Sequence, residues 1–482
     1  MSLFRSCLGS CLGSCLGLGL VLGIAGCGGN SGSVQLAGNA AGTFTAASLK
    51  GQYAYEVSGQ LTTGQFTIAG SVVADGNGNI TSGVQDENSP SGVVPNLGVS
   101  GTYTVTADGR GTMLLNSSVG QFQYDFVITS PQRVLITRFE GGATASGTME
   151  LQDPTAFSNA AISGPYAFTA AGVDGNGNAL ESGGVLTADG VSAANGVLDF
   201  NDSGTVTAQQ SATGTFAVAS NGRGTLSVTA QGATLNFVTY VVSRQHFKLI
   251  ESDAGVSQVG DAFSQTAGLT NASVSGPFVF AVAGGSSAPL VIGGSFNADG
   301  NGTLNGGSED VNSGGSISQN APATGTYSIA TNGRGTLALT EEGITDNYFV
   351  YPSSGGLLMI ASDTNTTSGT ALAASATPAL QGNVGLNLSA ANLTLGETDS
   401  IAQFNATGGS LTGAHDVTQF GSLASNLKLT GTYSLSGLRG TMQLKSSAGT
   451  LNTAFYPAAN GRYLLLELDG GQVGIGEMDA QQ

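Results

Sequence analysis

The stretch "TADGRGTMLL" at residues 106–115 returns three times, as "ASNGRGTLSV" (219–228), "ATNGRGTLAL" (330–339) and "LSGLRGTMQL" (435–444). In the second copy Phe216 and Val218 alternate with Ala217 and Ala219, and Leu226 and Val228 alternate with Thr225 and Ser227. Residues directly opposite in an antiparallel pair share a face, so gathering the four large residues on one side requires an odd loop, Ser220-Asn221-Gly222. Such a loop ends in a left-handed residue, for which glycine is suited; Gly109, Gly222 and Gly333 take that place. The fourth copy has lost one residue before its arginine. Its large residues Tyr433, Leu435, Met442 and Leu444 share a face only across an even loop. Gly437-Leu438 supplies one, glycine first, as a type II′ turn requires. Loop length and turn chemistry change together while the apolar face is kept, so the motif is the corner of a β-hairpin.

That corner belongs to a longer repeat. Each copy opens with an aliphatic residue, any residue and Gly: "LKGQYAY" from Leu49, "ISGPYAF" from Ile162, "VSGPFVF" from Val274 and "LQGNVGL" from Leu380. A Gly-x-x-Asp follows at Asp86, Asp199, Asp310 and Asp416, then a Gly-Thr-aromatic strand at Gly101, Gly214, Gly325 and Gly431. The corner arginines are Arg110, Arg223, Arg334 and Arg439, and a later hairpin carries Glu140, Asp253, Asp363 or Asp469. Self-similarity at a fixed period marks one fold unit repeated. The units are 49–153, 162–265, 274–375 and 380–482, joined by the loose linkers "QDPTAFSNAA", "SQTAGLTNAS" and "ASATPA".

Within unit one, eight strands are predicted at 52–58, 66–74, 79–85, 99–106, 110–116, 121–129, 133–139 and 145–151. Short connections favour a meander. The fold class is therefore all-β: four tandem antiparallel meander domains, each a small eight-stranded barrel, with a two-sheet sandwich as the alternative. Only the strand count resembles avidin and lipocalin barrels, and fold likeness transfers no ligand. The register sets each corner arginine on the polar face, where it is expected to pair with an acid of its own domain, from the Asp86 or the Glu140 series.

Composition agrees with a Gly-rich, acidic β-protein. There are 77 glycines, no tryptophan, 40% hydrophobic residues and a net charge of −18 from 13 basic and 31 acidic residues. A polyanion would be repelled, so no nucleic-acid partner is expected. A single large transmembrane barrel would carry aromatic girdles, and aromatics are only 7% here.

The first 26 residues differ from the rest. Arg5 precedes an apolar stretch from Cys11 to Ala25, which ends in Ile24-Ala25-Gly26-Cys27. This resembles a bacterial lipoprotein signal peptide with its lipobox, and the resemblance implies cleavage before Cys27 and lipidation of that cysteine. Residues 27–48 then form a flexible tether. All four cysteines lie at or before Cys27, which leaves the mature chain no internal disulfide. Gly28 stands where an inner-membrane retention Asp commonly sits, so the expected address is the cell envelope, lipid-anchored to the outer membrane, with the facing side open.

Candidates for chemistry are few. "DGNGN" at Asp75, Asn77 and Asn79, with Asp86, has the spacing of a calcium loop, and Asp299, Asn301 and Asp310 repeat it. However, an EF-hand needs Gly where Ile80 stands, so a plain β-turn is the competing reading. Only His246 and His415 exist, in different units. No Walker loop, Gly-x-Ser-x-Gly elbow or His-Glu-x-x-His string appears, and no cofactor is expected. The dense aromatic group Tyr348, Phe349 and Tyr351 is read as core. The functional expectation is a non-catalytic, lipid-anchored envelope protein for display, adhesion or spacing, attached to the membrane by its lipid and meeting a protein or polysaccharide partner. The alternative is a ligand- or carbohydrate-binding lipoprotein with pockets in its barrels.

Overall fold

The computed structural model describes residues 43–420 and 422–482; the signal peptide, Cys27 and most of the tether lie outside them. Four closed, eight-stranded antiparallel barrels follow one another along the chain. Barrel 1 consists of β1 (Lys50–Leu61), β2 (Gly64–Asp75), β3 (Asn79–Ser89), β4 (Gly92–Val105), β5 (Arg110–Ser117), β6 (Gly120–Ser130), β7 (Arg133–Glu140) and β8 (Ala143–Leu151). β1 pairs with both β2 and β8, which closes the wall and removes its edges. Barrels 2, 3 and 4 repeat this plan over 163–264, 275–373 and 382–480.

The corners are built as the face parity requires. Phe216 pairs with Leu226 and Val218 with Gly224 around Ser220-Asn221-Gly222, and Gly222 has φ +83°. In barrel 4, Ser436 pairs directly with Arg439 across Gly437-Leu438. The third and fourth strands run further than their sequence suggests. β3 continues through Asp86 to a tight turn at Pro90-Ser91, because a bulge at Asn96 (φ +55°) absorbs the break in alternation. Gln209, Asn320 and Asn426 sit at the same bulge in the other barrels, each at positive φ.

Large residues fill the interiors: Tyr53, Tyr55, Tyr103, Tyr124 and Phe126 in barrel 1, for example. A second set of apolar residues points outward and is nevertheless buried, because the barrels pack on one another. Ala54 and Ala69 of barrel 1 meet Val238, Tyr240 and Ile250 of barrel 2. Val185 of barrel 2 meets Phe349, Tyr351 and Ile360 of barrel 3. Val279 and Val291 of barrel 3 meet Tyr456, Leu464 and Leu466 of barrel 4. Ile401 of barrel 4 then meets Val127 and Leu135 of barrel 1. In every case the opening strands of one barrel face the last three strands of the next. A heterologous, head-to-tail interface generates a ring when its rotation closes, and here it closes after four.

Three expectations are corrected. The linkers are not loose: Asp153 N donates to Val242 O, and Leu269 is buried in the core of barrel 3. The end of the tether is likewise seated, with Phe44 N bonded to Ala107 O and its ring packed on barrel 1. Of the dense aromatic group only Tyr348 lies inside its barrel; Phe349 and Tyr351 line a seam between barrels.

Candidate functional site: the charged seams of the ring

The corner arginines do not pair within their own domains. Arg223 reaches back to Asp86 of barrel 1, with Nε–Oδ2 at 2.8 Å and Nη2–Oδ1 at 2.6 Å. Arg334 holds Asp199 of barrel 2 at 2.7 and 2.8 Å, and Arg439 holds Asp310 of barrel 3 at 2.7 and 2.6 Å. Each is a bidentate fork, the geometry a planar guanidinium offers a carboxylate. The expectation failed because the polar face of a barrel in a ring is largely a neighbour's surface, and an acid of that neighbour is nearer.

The bulge explains why Asp stands at this position. In each copy the backbone N–H ten residues on, at Asn96, Gln209, Asn320 or Asn426, donates to its Oδ1. The carboxylate is thus pinned before the arginine arrives. Tyr240, Tyr351 and Tyr456 each add a hydroxyl hydrogen bond to Oδ2. Two residues past each Asp, Asn88, Asn201 and Asn312 insert their amides into the next barrel's seventh hairpin. There each Nδ2 contacts three carbonyls, among them those of Asp253, Asp363 and Asp469 respectively. The side chains of those three acids cap strand six of their own barrel, at the N–H of Asn236, Asn347 and Asn452. Glu140 accepts the N–H of Gln123 at the same place, at 3.4 Å, and also holds Arg138.

The fourth seam joins barrel 4 to barrel 1 and is built differently. Arg110 lies 3.7 Å from Asp416 while its Nε stays on Asp108 of its own corner, at 3.0 Å. Val127 replaces the tyrosine and Thr418 the asparagine. Arg133 compensates: its Nη2 bonds Glu477 at 2.6 Å and its Nε bonds Asp479 at 2.9 Å, both of barrel 4. The chain end completes the closure, since Gln481 donates to Asp108 O and Ile128 O and Gln482 N to Thr129 O.

Arg133 is one end of a buried charge network that links barrels 4, 1 and 2. It also bonds Glu150, whose other oxygen faces His246 Nδ1 at 2.9 Å. His246 Nε2 meets Asp261 at 2.5 Å, and Lys248, without exposed surface, bonds Glu56 at 2.8 Å and Thr148 at 3.0 Å. Arg462 bonds Glu477 at 2.9 Å. Burial alone would strip the proton from His246, but Glu150 and Asp261 outweigh it and raise its pKa to about 9. Glu56 shifts the other way from an ordinary ion-paired acid: burial and nearby Asp261 push it up to about 8. Cations and anions neutralise one another, as buried charges must. None of these ties holds a nucleophile beside a free base. Sequence reading missed the network, although one signal was legible: Arg133, His246 and Arg462 occupy the same first position of strand seven in a chain with few basic residues.

The calcium candidates are not brought together. Asp75 Oδ1 accepts the N–H groups of Asn77 and Asn79, an Asx-type turn. Asp86 lies seven residues further along β3, about 23 Å at strand rise, and is committed to Arg223. Asp299 closes the equivalent turn on Asn301, while Asp310 serves Arg439. Among the described residues no group of three or more His, Cys, Asp or Glu is arranged to hold a metal ion.

No protein-family model matches the chain, and no curated protein aligns with it. Among solved structures, a double mutant of the vaccine antigen transferrin-binding protein B from Haemophilus parasuis is similar over 72% of this chain and 82% of that one, at 12% identity and a TM-score of 0.18. A score that low carries no argument about function.

Proposed function

We propose that this is a non-catalytic, lipid-anchored protein of the bacterial cell envelope that displays a rigid four-barrel ring to a protein or polysaccharide partner. The ring closure is the observation that supports it. Four seams, each with buried ion pairs or amide plugs, hold the barrels in one fixed arrangement, as suits a presenting surface better than an extended spacer. The acids and arginines with the strongest pairing are spent on those seams. Anchorage rests on the lipobox residues Ile24-Ala25-Gly26-Cys27. Palmitate labelling and protease treatment of intact cells test the reading. The expected result is a labelled, membrane-bound chain that becomes soluble in the Cys27→Ala variant. A wild-type chain that is unlabelled and free of the membrane would overturn it.

A further inference from the structure

The four barrels are built on one plan, so each serves as a control for the others. We propose that barrel 2 binds a small apolar molecule, of short-alkyl size, in a cavity within its wall.

Two positions filled by larger residues in every sister barrel, and two more filled in barrels 1 and 4, are emptied in this one. Opposite the glycine that follows the corner arginine, the residue is Phe126 in barrel 1 (on Gly111), Val350 in barrel 3 (on Gly335) and Phe455 in barrel 4 (on Gly440), but Thr239 in barrel 2 (on Gly224). In barrels 1 and 4 the phenyl ring lies directly over that glycine. The start of strand three carries Ile80, Leu304 and Leu411 elsewhere and Ala194 here. Val57, Val282 and Leu388 correspond to Ala170, and Met149 and Met478 to Ala262, a position that barrel 3 also fills with alanine, Ala371. Interiors pack to crystal density, so losing that many methylene and ring carbons together leaves space. A cavity of about 70 Å³ results, lined by Ala194, Thr239 and Ala262 among others.

The entrance also differs. In barrels 1, 3 and 4 a tyrosine on strand four latches the entering segment: Tyr103, Tyr327 and Tyr433 donate to Leu49 O, Val274 O and Leu380 O at 2.7, 2.7 and 2.8 Å. Barrel 2 has Phe216 there and no hydroxyl to donate, so Ile162 covers the cavity without a tyrosine latch, its segment held through Asn159, whose Oδ1 accepts the Val218 N–H at 2.8 Å. Leu226 stays partly exposed, whereas its counterparts Met113, Leu337 and Met442 are buried. A water needs roughly 10–15 Å³ on this measure, which gives room for about five water-sized groups. The polar side chains of the walls are the two threonines Thr225 and Thr239 and Tyr166, whose hydroxyl is already spent on Arg244 O at 2.7 Å. Water wants two to four polar partners, so an apolar guest suits the cavity better.

The inference is independent of the display reading, since the cavity lies within one barrel whether or not the chain is anchored. Ethane and propane are titrated under pressure into the full mature chain with alanine methyls isotopically labelled. Saturable shifts of the Ala194 and Ala262 methyls and a rise in Tm are expected. Thr239→Phe and, separately, Ala194→Leu restore a sister barrel's residue. Each is expected to abolish the shifts while circular dichroism stays unchanged and Tm holds or rises. No saturable shift with either probe, or binding that survives in a folded filled variant, overturns the proposal. If Thr239→Phe fails to fold, Ala194→Leu decides it alone.

Discussion

Replacing Asp199 by alanine is the sharpest test of the seams. Asp199 is fully buried and accepts four hydrogen bonds: Gln209 N at 2.8 Å, Arg334 at 2.7 and 2.8 Å, and Tyr351 at 2.7 Å. Arg334 also lies over the Phe349 ring at 4.4 Å and keeps little contact with water. Removing one partner of a buried pair strands the other charge, which costs about 3–5 kcal/mol. The orphaned tyrosine hydroxyl and backbone N–H add about 1 kcal/mol more. Removing both charges, as Asp199→Ala with Arg334→Met, leaves no stranded ion and should recover most of the loss. Arg110→Ala at the closing seam is the internal comparison. Its ion pair is long and its guanidinium is shared with Asp108, so about 1 kcal/mol is expected. Urea unfolding followed by tyrosine fluorescence, with hydrogen exchange to locate the loosened barrels, measures all four chains. The reasoning is refuted if Asp199→Ala costs no more than Arg110→Ala, or if the double variant is as unstable as the single one.

Three other outcomes are expected. Stability should fall as pH rises from about 5 to 9. Burial raises Glu251 to about 9, Glu309 to about 8 and Asp399 to about 7, and His246 stands at about 9, so across this window the folded chain holds protons the unfolded chain has released. A Tm at pH 8.5 equal to or above that at pH 5.5 contradicts this. Phe44 and Gln481 both pack on Gly109, so a permuted chain joining Gln482 to Phe44 by a short linker and opening at Ala267 should fold to the same compact ring; an expanded radius in small-angle scattering would count against closure. Calcium and chelator should leave Tm unchanged, because Asp75 and Asp86 serve different turns, and a calcium-dependent rise would restore the metal reading.

Local chemistry made the repeat, the strand count and the hairpin corner legible in the sequence. A left-handed glycine, a loop whose parity must match its flanking faces, and acids at fixed spacing are all short-range facts. Strand number and short connections favoured a barrel over a sandwich, and the pairing of β1 with β8 decided it. The ring did not, although a trace of it was present: Val134-Leu135-Ile136, Leu357-Leu358-Met359-Ile360 and Leu464-Leu465-Leu466 break the alternation expected of a wall with one wet face. They belong to strands buried on both sides, inside by their own barrel and outside by the neighbour.

Partner choice was beyond the sequence for a physical reason. Asp86 and Arg110 share a barrel and an expected face, yet Asp86 meets Arg223, because a heterologous contact matches different surfaces of successive copies. The same holds for Lys248 and His246, whose charges are tolerable only where barrels 1 and 2 converge around them. The sequence by itself determined four eight-stranded β-meander units with glycine corners and a candidate lipid anchor. Only the tertiary structure decided that each corner arginine is a tie to the preceding barrel, and that four such seams close on themselves.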